Sequence, residues 1–429
     1  MSLPAAVDTV VIGAGQAGVT MSWYLRQAGR DHLVLDDRAT LGGGWQDRWD
    51  SFRLVTPNWS ASFPDDPYPG PDPDAFMPRD EIVGRVAGYA QKTDAPAVLD
   101  CRVTRLESRP GGGFTLETTL GELGTDQVIV AVGSFHVPRI PPLARDLPPG
   151  VTALHSHAYR QEAALPPGAV LVVGSGQSGV QIAEELAGAG RRVYISVGSA
   201  GRVPRRYRGR DFIRWLALGA LRGEELGAPI PTVGSLTDQA MRLAANPQLS
   251  GHGGGHDIDL RRFGADGMTL LGRIERVEGT RIHLSSGLAA NLAKADRFFD
   301  ERYRTIIDTL IEKGGIDAPP DDRVPFPYDP PEQATVDLEA AGISTILWAS
   351  GYRPDYSWIE VPIFDELGFP RHVRGVTDVP GLYFLGLLWQ HTQASATLFG
   401  VGLDARHLAG SMGLPIPDRG LEALTAFAS

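Results

Sequence analysis

The sequence predicts an α/β fold built from two Rossmann-like dinucleotide-binding domains of the three-layer ββα type, the second inserted into the first. Three observations predict it. GAGQAG at 13–18 and GSGQSG at 174–179 share one glycine spacing around a central Gln. Each stands between a β-branched run and a helix-forming run, the order that a buried parallel strand and its crossover helix require. Two further apolar runs, QVIVAVG and TILWASG, end alike in Ala-x-Gly.

The elements follow in order. Asp8 to Ile12 reads as a short buried strand, Val19 to Ala28 as a helix stopped by Gly29, and HLVLDDR as the next strand. In such a loop Gly13 makes the turn, Gly15 lets the backbone approach a pyrophosphate, and Gly18 lets the helix pack close to the strand. Gln16, Ala17 and the free N–H groups behind them then face the phosphates with the positive end of the helix dipole. Asp36 ends the second strand at the distance where an acid binds a ribose hydroxyl pair. LGGGWQDRW follows, a loop whose glycines Gly42 to Gly44 pass close to something; Trp45 and Trp49, with Arg48 between, read either as plain packing or as the wall of a flat cofactor. A Pro- and Asp-rich irregular stretch leads to a helix from Asp80, with Pro78 before it. CRVTRLES and FTLETT flank a glycine turn and read as a hairpin, and QVIVAVG is a buried strand ending at Gly133.

LPPG at 165–168 punctuates the chain, and the strand–loop–helix–strand pattern then begins afresh. Gly174, Ser175, Gly176, Gln177, Ser178 and Gly179 form its loop. Residues 344–358 repeat the logic of the earlier Ala-x-Gly strand and are expected to return the chain to the first domain. The expected domains are 1–160, 161–335 with an inserted helical and loop segment, and 336–429. AANLAKADRFFDERYRTIIDTLIEKGG reads as an amphipathic helix covering the insert. His252 and His256 are four apart, but three glycines between them argue against a helix, so no metal site is expected.

The two loops differ downstream. The interval from Gly13 to Asp36, counted from Gly174, lands on Val197, which is not an acid. Arg202, Arg205, Arg206, Arg208 and Arg210 follow. Loss of the acid removes repulsion against a 2′-phosphate, and an arginine binds one. The expected cofactors are therefore FAD at the first loop and NADPH at the second, with hydride passing from nicotinamide to flavin. Cys101 is the single cysteine, so an intrachain redox pair is excluded. It reads as a small buried thiol before a strand.

The net charge of −11 argues against a general nucleic-acid binder. No apolar run reaches membrane-spanning length, and the N-terminal segment reads as a first strand rather than a signal peptide, so a cytoplasmic location without membrane contact is expected.

The order GAGQAG, Asp36, GGGW, an Ala-x-Gly strand end, a His…Tyr segment, GSGQSG and ASGYRPD resembles the class B flavoprotein monooxygenases. That family includes flavin-containing, YUCCA-type and Baeyer–Villiger enzymes, and the resemblance spans about Asp8 to Ala409. The family fingerprint FxGxxxHxxx, closed by Tyr/Phe or Trp, is met in part. His155 and Tyr159 match, the Phe is absent, and Gly150 sits one residue too far from the His. Tyr159, where Baeyer–Villiger enzymes carry Trp, points toward heteroatom or YUCCA-like chemistry. RWDSFRLVTPNW, GGHDIDLRRF and GVTDVPGLYFLGLLW are similar to a bacterial subgroup of flavin-dependent oxidoreductases encoded near nitrilase genes, which implies a small nitrogenous substrate.

By the resemblance, NADPH reduces FAD, dioxygen adds to form a flavin 4a-hydroperoxide, and the distal oxygen passes to a nucleophilic heteroatom. It implies catalytic roles for Asn58 and Arg48 near the flavin, FAD contacts at Val103, Gly133 and Gly386, and an NADP contact at Gly351. His391 and Gln393 are candidates to face substrate. The partners implied are a small-molecule substrate and dioxygen, with a homodimer as the candidate assembly. Two rivals stand beside this reading: an FAD-dependent NADPH oxidoreductase or oxidase without oxygen insertion, and a non-catalytic flavin-binding redox sensor.

Overall fold

The structure is a computed structural model that describes residues 3–417. Its first sheet is laid down by β1 (Ala6–Ile12), β2 (His32–Leu35), β3 (Ala97–Val98) and β6 (Gly121–Val130), parallel in the order β3-β2-β1-β6. β6 is shared. Its first half pairs antiparallel with β5 (Phe114–Thr118), which pairs with β4 (Val103–Ser108). Its last residues pair in parallel with β19 (Leu382–Phe384). The two-residue period of a strand sorts the side chains. Val11 and Ile129 face α1 (Gln16–Gln27), α2 (Arg79–Lys92) and α8 (Leu398–Ser411). Val10, Ile12, Val128 and Val130 face the other way, onto Leu106 of β4 and Phe114 of β5. Helices, parallel sheet and antiparallel meander make the three layers.

The second sheet is all parallel: β13 (Thr269–Leu271), β10 (Val193–Ser196), β9 (Ala169–Val173), β17 (Ile343–Trp348) and β8 (Thr152–His155), in that order. α3 (Gln177–Gly188) crosses from β9 to β10, and a meander of β14 (Ile274–Glu278), β15 (Arg281–Leu284) and β16 (Thr335–Asp337) lies apart. A helical cap joins α4 (Phe212–Arg222) to α6 (Leu288–Phe299) and α7 (Thr305–Gly314) through Phe212, Trp215, Phe299, Tyr303 and Leu310. The expected single amphipathic helix is thus α6 and α7, joined by a π turn at Asp300–Arg304.

The second sheet corrects one expectation. β17 does not bring the chain back to the first domain; it is a strand of the second sheet, beside β9, and β8 lies next to it. The physical reason is local. Each glycine loop needs an Ala-x-Gly strand end against its first glycine, so the second such strand belongs to the second loop. The chain crosses between sheets where β7 (Val137–Pro138) and β18 (Tyr352–Arg353) pair antiparallel. Among the described residues no helix is long and apolar enough to cross a membrane.

Candidate functional site

The first cradle is closed by contact. Gly13 has φ +105°, and a Cβ there would lie 2.6 Å from the Ala131 carbonyl oxygen. A Cβ on Gly18 would lie 1.7 Å from the Gly13 oxygen, so helix and loop meet backbone to backbone. Gly15 faces the open side, with Gly43 Cα 3.6 Å from its would-be Cβ. α1 starts at Gln16 without a side-chain cap, leaving first-turn N–H groups for a ligand. Asp36 closes the turn: Oδ2 accepts the Ala14 N–H at 2.6 Å and Oδ1 the Arg38 N–H at 2.9 Å. Burial pushes its carboxyl above the usual range, against the pull of those two bonds.

In front of this cradle lies a cavity of about 660 Å³. Gly13, Gly15, Gln16, Ala17, Asp36, Gly44, Trp45, Arg48, Val103, Gly133 and Gly386 all line it, so one space collects nearly all of the residues expected at the first cofactor. Gly18 is the exception, used for packing. Gln16 fixes the wall: its Oε1 accepts Trp45 Nε1–H at 2.9 Å, and its Nε2–H donates to the Ala396 carbonyl at 3.0 Å. Arg48 supplies the charge. Its guanidinium carbon lies 5.5–6.0 Å from the ring centroids of Trp45, Phe52 and Phe135, and its Nε is buried without a partner. Burial lowers its pKa. A cation held among aromatic rings at a cavity with free helix amides suits an anionic, partly aromatic ligand. These residues fit a flavin dinucleotide.

The second cradle repeats the first. A Cβ on Gly174 (φ +109°) would lie 2.5 Å from the Ala349 oxygen, and one on Gly179 would lie 1.9 Å from the Gly174 oxygen. α3 starts at Gln177, again uncapped by a side chain. Gln177 repeats the work of Gln16, bonding the backbone of Leu249 in both directions. Gln248 Nε2–H donates to the Ser175 carbonyl at 2.6 Å, and Ser175 Oγ accepts the Gly198 N–H at 3.0 Å. Gly176 faces Ala245, 3.2 Å from its would-be Cβ, while Ser178 is half-buried at the helix start. Val197 stands where the first site has its acid and is buried. Arg202 pairs with Asp296 at 2.8 Å and Asp259 at 3.1 Å. Arg205, 3% exposed, pairs with Asp211 at 2.8 Å and donates to the Val55 carbonyl at 2.7 Å. Arg206 is exposed.

Other expected residues lie elsewhere. Asn58 is not among the residues lining the first cavity. Its Nδ2–H donates to Tyr68 Oη at 3.2 Å and to the Asp72 carbonyl at 3.0 Å, which commits it to the Pro- and Asp-rich stretch. The fingerprint residues join elements. His155 Nε2 bonds the Gly351 carbonyl at 3.0 Å, and Tyr159 Oη–H donates to Glu185 of α3 at 2.8 Å. His256 pairs with Glu184 at 2.5 Å. His391 lines a second cavity, and Gln393 accepts from Tyr303 Oη. Sequence reasoning missed Ser134, Phe135, His136, Tyr352 and Asp355, which line the first cavity from the two crossing segments. Their signal was their position just after the Ala-x-Gly ends and, for Tyr352 and Asp355, their place in ASGYRPD.

Residues 10–210 match the family model described as pyridine nucleotide-disulphide oxidoreductase. An uncharacterized CzcO-like oxidoreductase of Geobacillus kaustophilus is 32% identical over 94% of this chain and 97% of its own. The probable indole-3-pyruvate monooxygenase YUCCA4 of Arabidopsis thaliana is 27% identical over 41% of this chain and 43% of its own. A solved flavin-containing monooxygenase from Stenotrophomonas maltophilia superposes with a TM-score of 0.64 at 21% identity, covering 100% of both chains.

Proposed function

Because the chain belongs to the class B flavoprotein monooxygenase family, alongside CzcO-like oxidoreductases of nearly its full length, we propose that it is an FAD- and NADPH-dependent monooxygenase acting on a small, nitrogen-containing nucleophile. One observation carries the reading: a single chain builds two like glycine cradles, and only the first has an acid behind it. Bound FAD would accept hydride from NADPH and activate dioxygen.

The chain's own residues bind and orient. Gly13–Gly18 and the start of α1 would hold the FAD pyrophosphate, Asp36 a ribose hydroxyl pair, and the Val103 backbone the adenine. Trp45, fixed by Gln16, and Arg48, set among three rings, would flank the electron-accepting ring and favour its anionic reduced form. At the second cradle the start of α3 would hold the NADPH pyrophosphate, with Gly351 behind it. Arg202 and Arg205 are engaged by acids, so Arg206 is the candidate for the 2′-phosphate. Cys101 is buried and alone, which favours this chemistry over the disulfide reduction in the matched family's description.

The test is a two-step mix. Protein reduced by NADPH is mixed with oxygenated buffer in a stopped-flow spectrometer. The proposal expects a persistent species whose spectrum differs from both oxidised and reduced flavin. Direct reoxidation, with one peroxide released per NADPH, would instead mark an oxidase.

A further inference from the structure

The second cavity, about 750 Å³, lies between α4 and α8. Segment 391–397 separates it from the cofactor cavity: Ser395 lines the one, and the next residue, Ala396, lines the other. Six titratable side chains line it, namely Arg374, Arg406, Asp404, Glu224, His391 and His407. No step above uses this group.

Two of these groups are built in at a cost. Asp404 is 2% exposed, and its Oδ2 has no hydrogen-bond partner. A buried carboxylate oxygen without a donor is destabilising unless a ligand supplies one. Arg374 is held at φ +50° beside Gly375 at φ +94°, in a hairpin turn where Val373 and Val376 exchange both backbone hydrogen bonds. Two positive φ values are the mark of a type I′ turn, which prefers Asn-Gly. An arginine kept in that conformation, with a buried Nε that has no partner, is a strained residue retained for its side chain.

The charges are of both signs. Arg374 and Arg406 are cations, and Asp404 and Glu224 are acids. Burial and the nearby Arg374 keep His391 and His407 below their ordinary pKa, so both are neutral donors or acceptors at neutral pH. A ligand with one charge would meet repulsion from half the lining. A ligand with both charges would meet a partner for each.

We propose that this cavity binds a free amino acid or similar small zwitterion, its carboxylate on Arg374 and Arg406 and its ammonium on Asp404 and Glu224. The volume lies within the range of small-molecule sites. The proposal does not depend on the monooxygenase reading, since it concerns binding outside the cofactor cavity.

The test is calorimetric titration of the FAD-loaded full chain with each of the common L-amino acids. 4-Methylpentanoate and 3-methylbutylamine serve as leucine analogues lacking one charge. At least one amino acid should bind, and binding by leucine should exceed that of either analogue tenfold or more. Arg374→Asn suits the turn better, so it should fold with an unchanged or higher Tm. It should bind the amino acid about tenfold or more weakly, in line with loss of a charge-assisted hydrogen bond. Asp404→Asn should weaken the amino acid similarly and leave 4-methylpentanoate unaffected. No binding across the panel overturns the proposal. So does equal binding of the single-charge analogues, or wild-type affinity in both variants.

Discussion

Asp404 pays for its burial in a way that pH reveals. Its pKa is raised from 3.8 to about 6, chiefly by desolvation, with Ser395 and Arg374 pulling the other way. An acid raised in the folded state contributes stability that is complete below its unfolded pKa and lost as pH rises through the folded one. For Asp404 the loss falls between about pH 4 and pH 6 and approaches 3 kcal/mol, at about 1.4 kcal/mol per unit. Asn has the same shape, and its own cost does not vary with pH. Asp404→Asn should therefore gain on wild type by several degrees of Tm between about pH 4 and pH 8, measured by circular dichroism melts at both. An equal difference at the two pH values would mean that Asp404 is not the titrating group. Asp36 is also raised by burial, but the Ala14 and Arg38 amides oppose it, and this bonded acid was legible from its spacing alone. Asp404 was not, because nothing in GLDARHL marks which helix position faces a cavity.

At the scale of elements, the glycine cradles are where sequence and structure agree most closely. GxGxxG is legible because its first and third glycines are demanded by backbone contacts, not by a neighbour that another side chain could replace. Gly179→Ala tests this. Its Cβ would lie 1.9 Å from the Gly174 oxygen and 3.1 Å from Ala349 Cβ, so the start of α3 must move. The expected cost is about 1–3 kcal/mol of stability. FAD content should stay intact, because the first cradle is untouched. The rate of flavin reduction by NADPH should fall about tenfold or more, since a 1 Å displacement of a positioned reactant can cost that much. Loss of FAD with an unchanged reduction rate would reverse the assignment of the two loops. The strand β17 shows the limit. Its Ala-x-Gly ending was read correctly as a repeat but assigned to the wrong sheet, because strand pairing is a long-range choice that a local pattern does not carry.

At the scale of the whole molecule, the two sheets share one continuous core. Val11, Val34 and Ile129 of the first sheet belong to the same buried cluster as Val170, Val172 and Ile195 of the second, along with Trp49, Phe52, Tyr159 and Ile258. Arg205 donating to the Val55 carbonyl at 2.7 Å, and Ser51 Oγ–H to Glu185 of α3, add polar ties across the junction. Chains of this length with two domains commonly unfold in steps. Here the shared core predicts one cooperative transition, with matching calorimetric and van't Hoff enthalpies in differential scanning calorimetry. Two resolved peaks would show that the cluster does not couple the halves.

The sequence by itself determined the two dinucleotide cradles, the acid behind the first and its absence behind the second, and the exclusion of a cysteine pair. Those are properties of residues near one another in the chain, where a turn or a spacing admits few side chains. Only the tertiary structure decided that Asn58 lies away from the cavity lining and that Arg202 and Arg205 are held by acids. It alone brought Arg374, Glu224 and Asp404 around a second cavity. These depend on which distant segments pack together, and packing is settled by the burial of whole faces rather than by any motif.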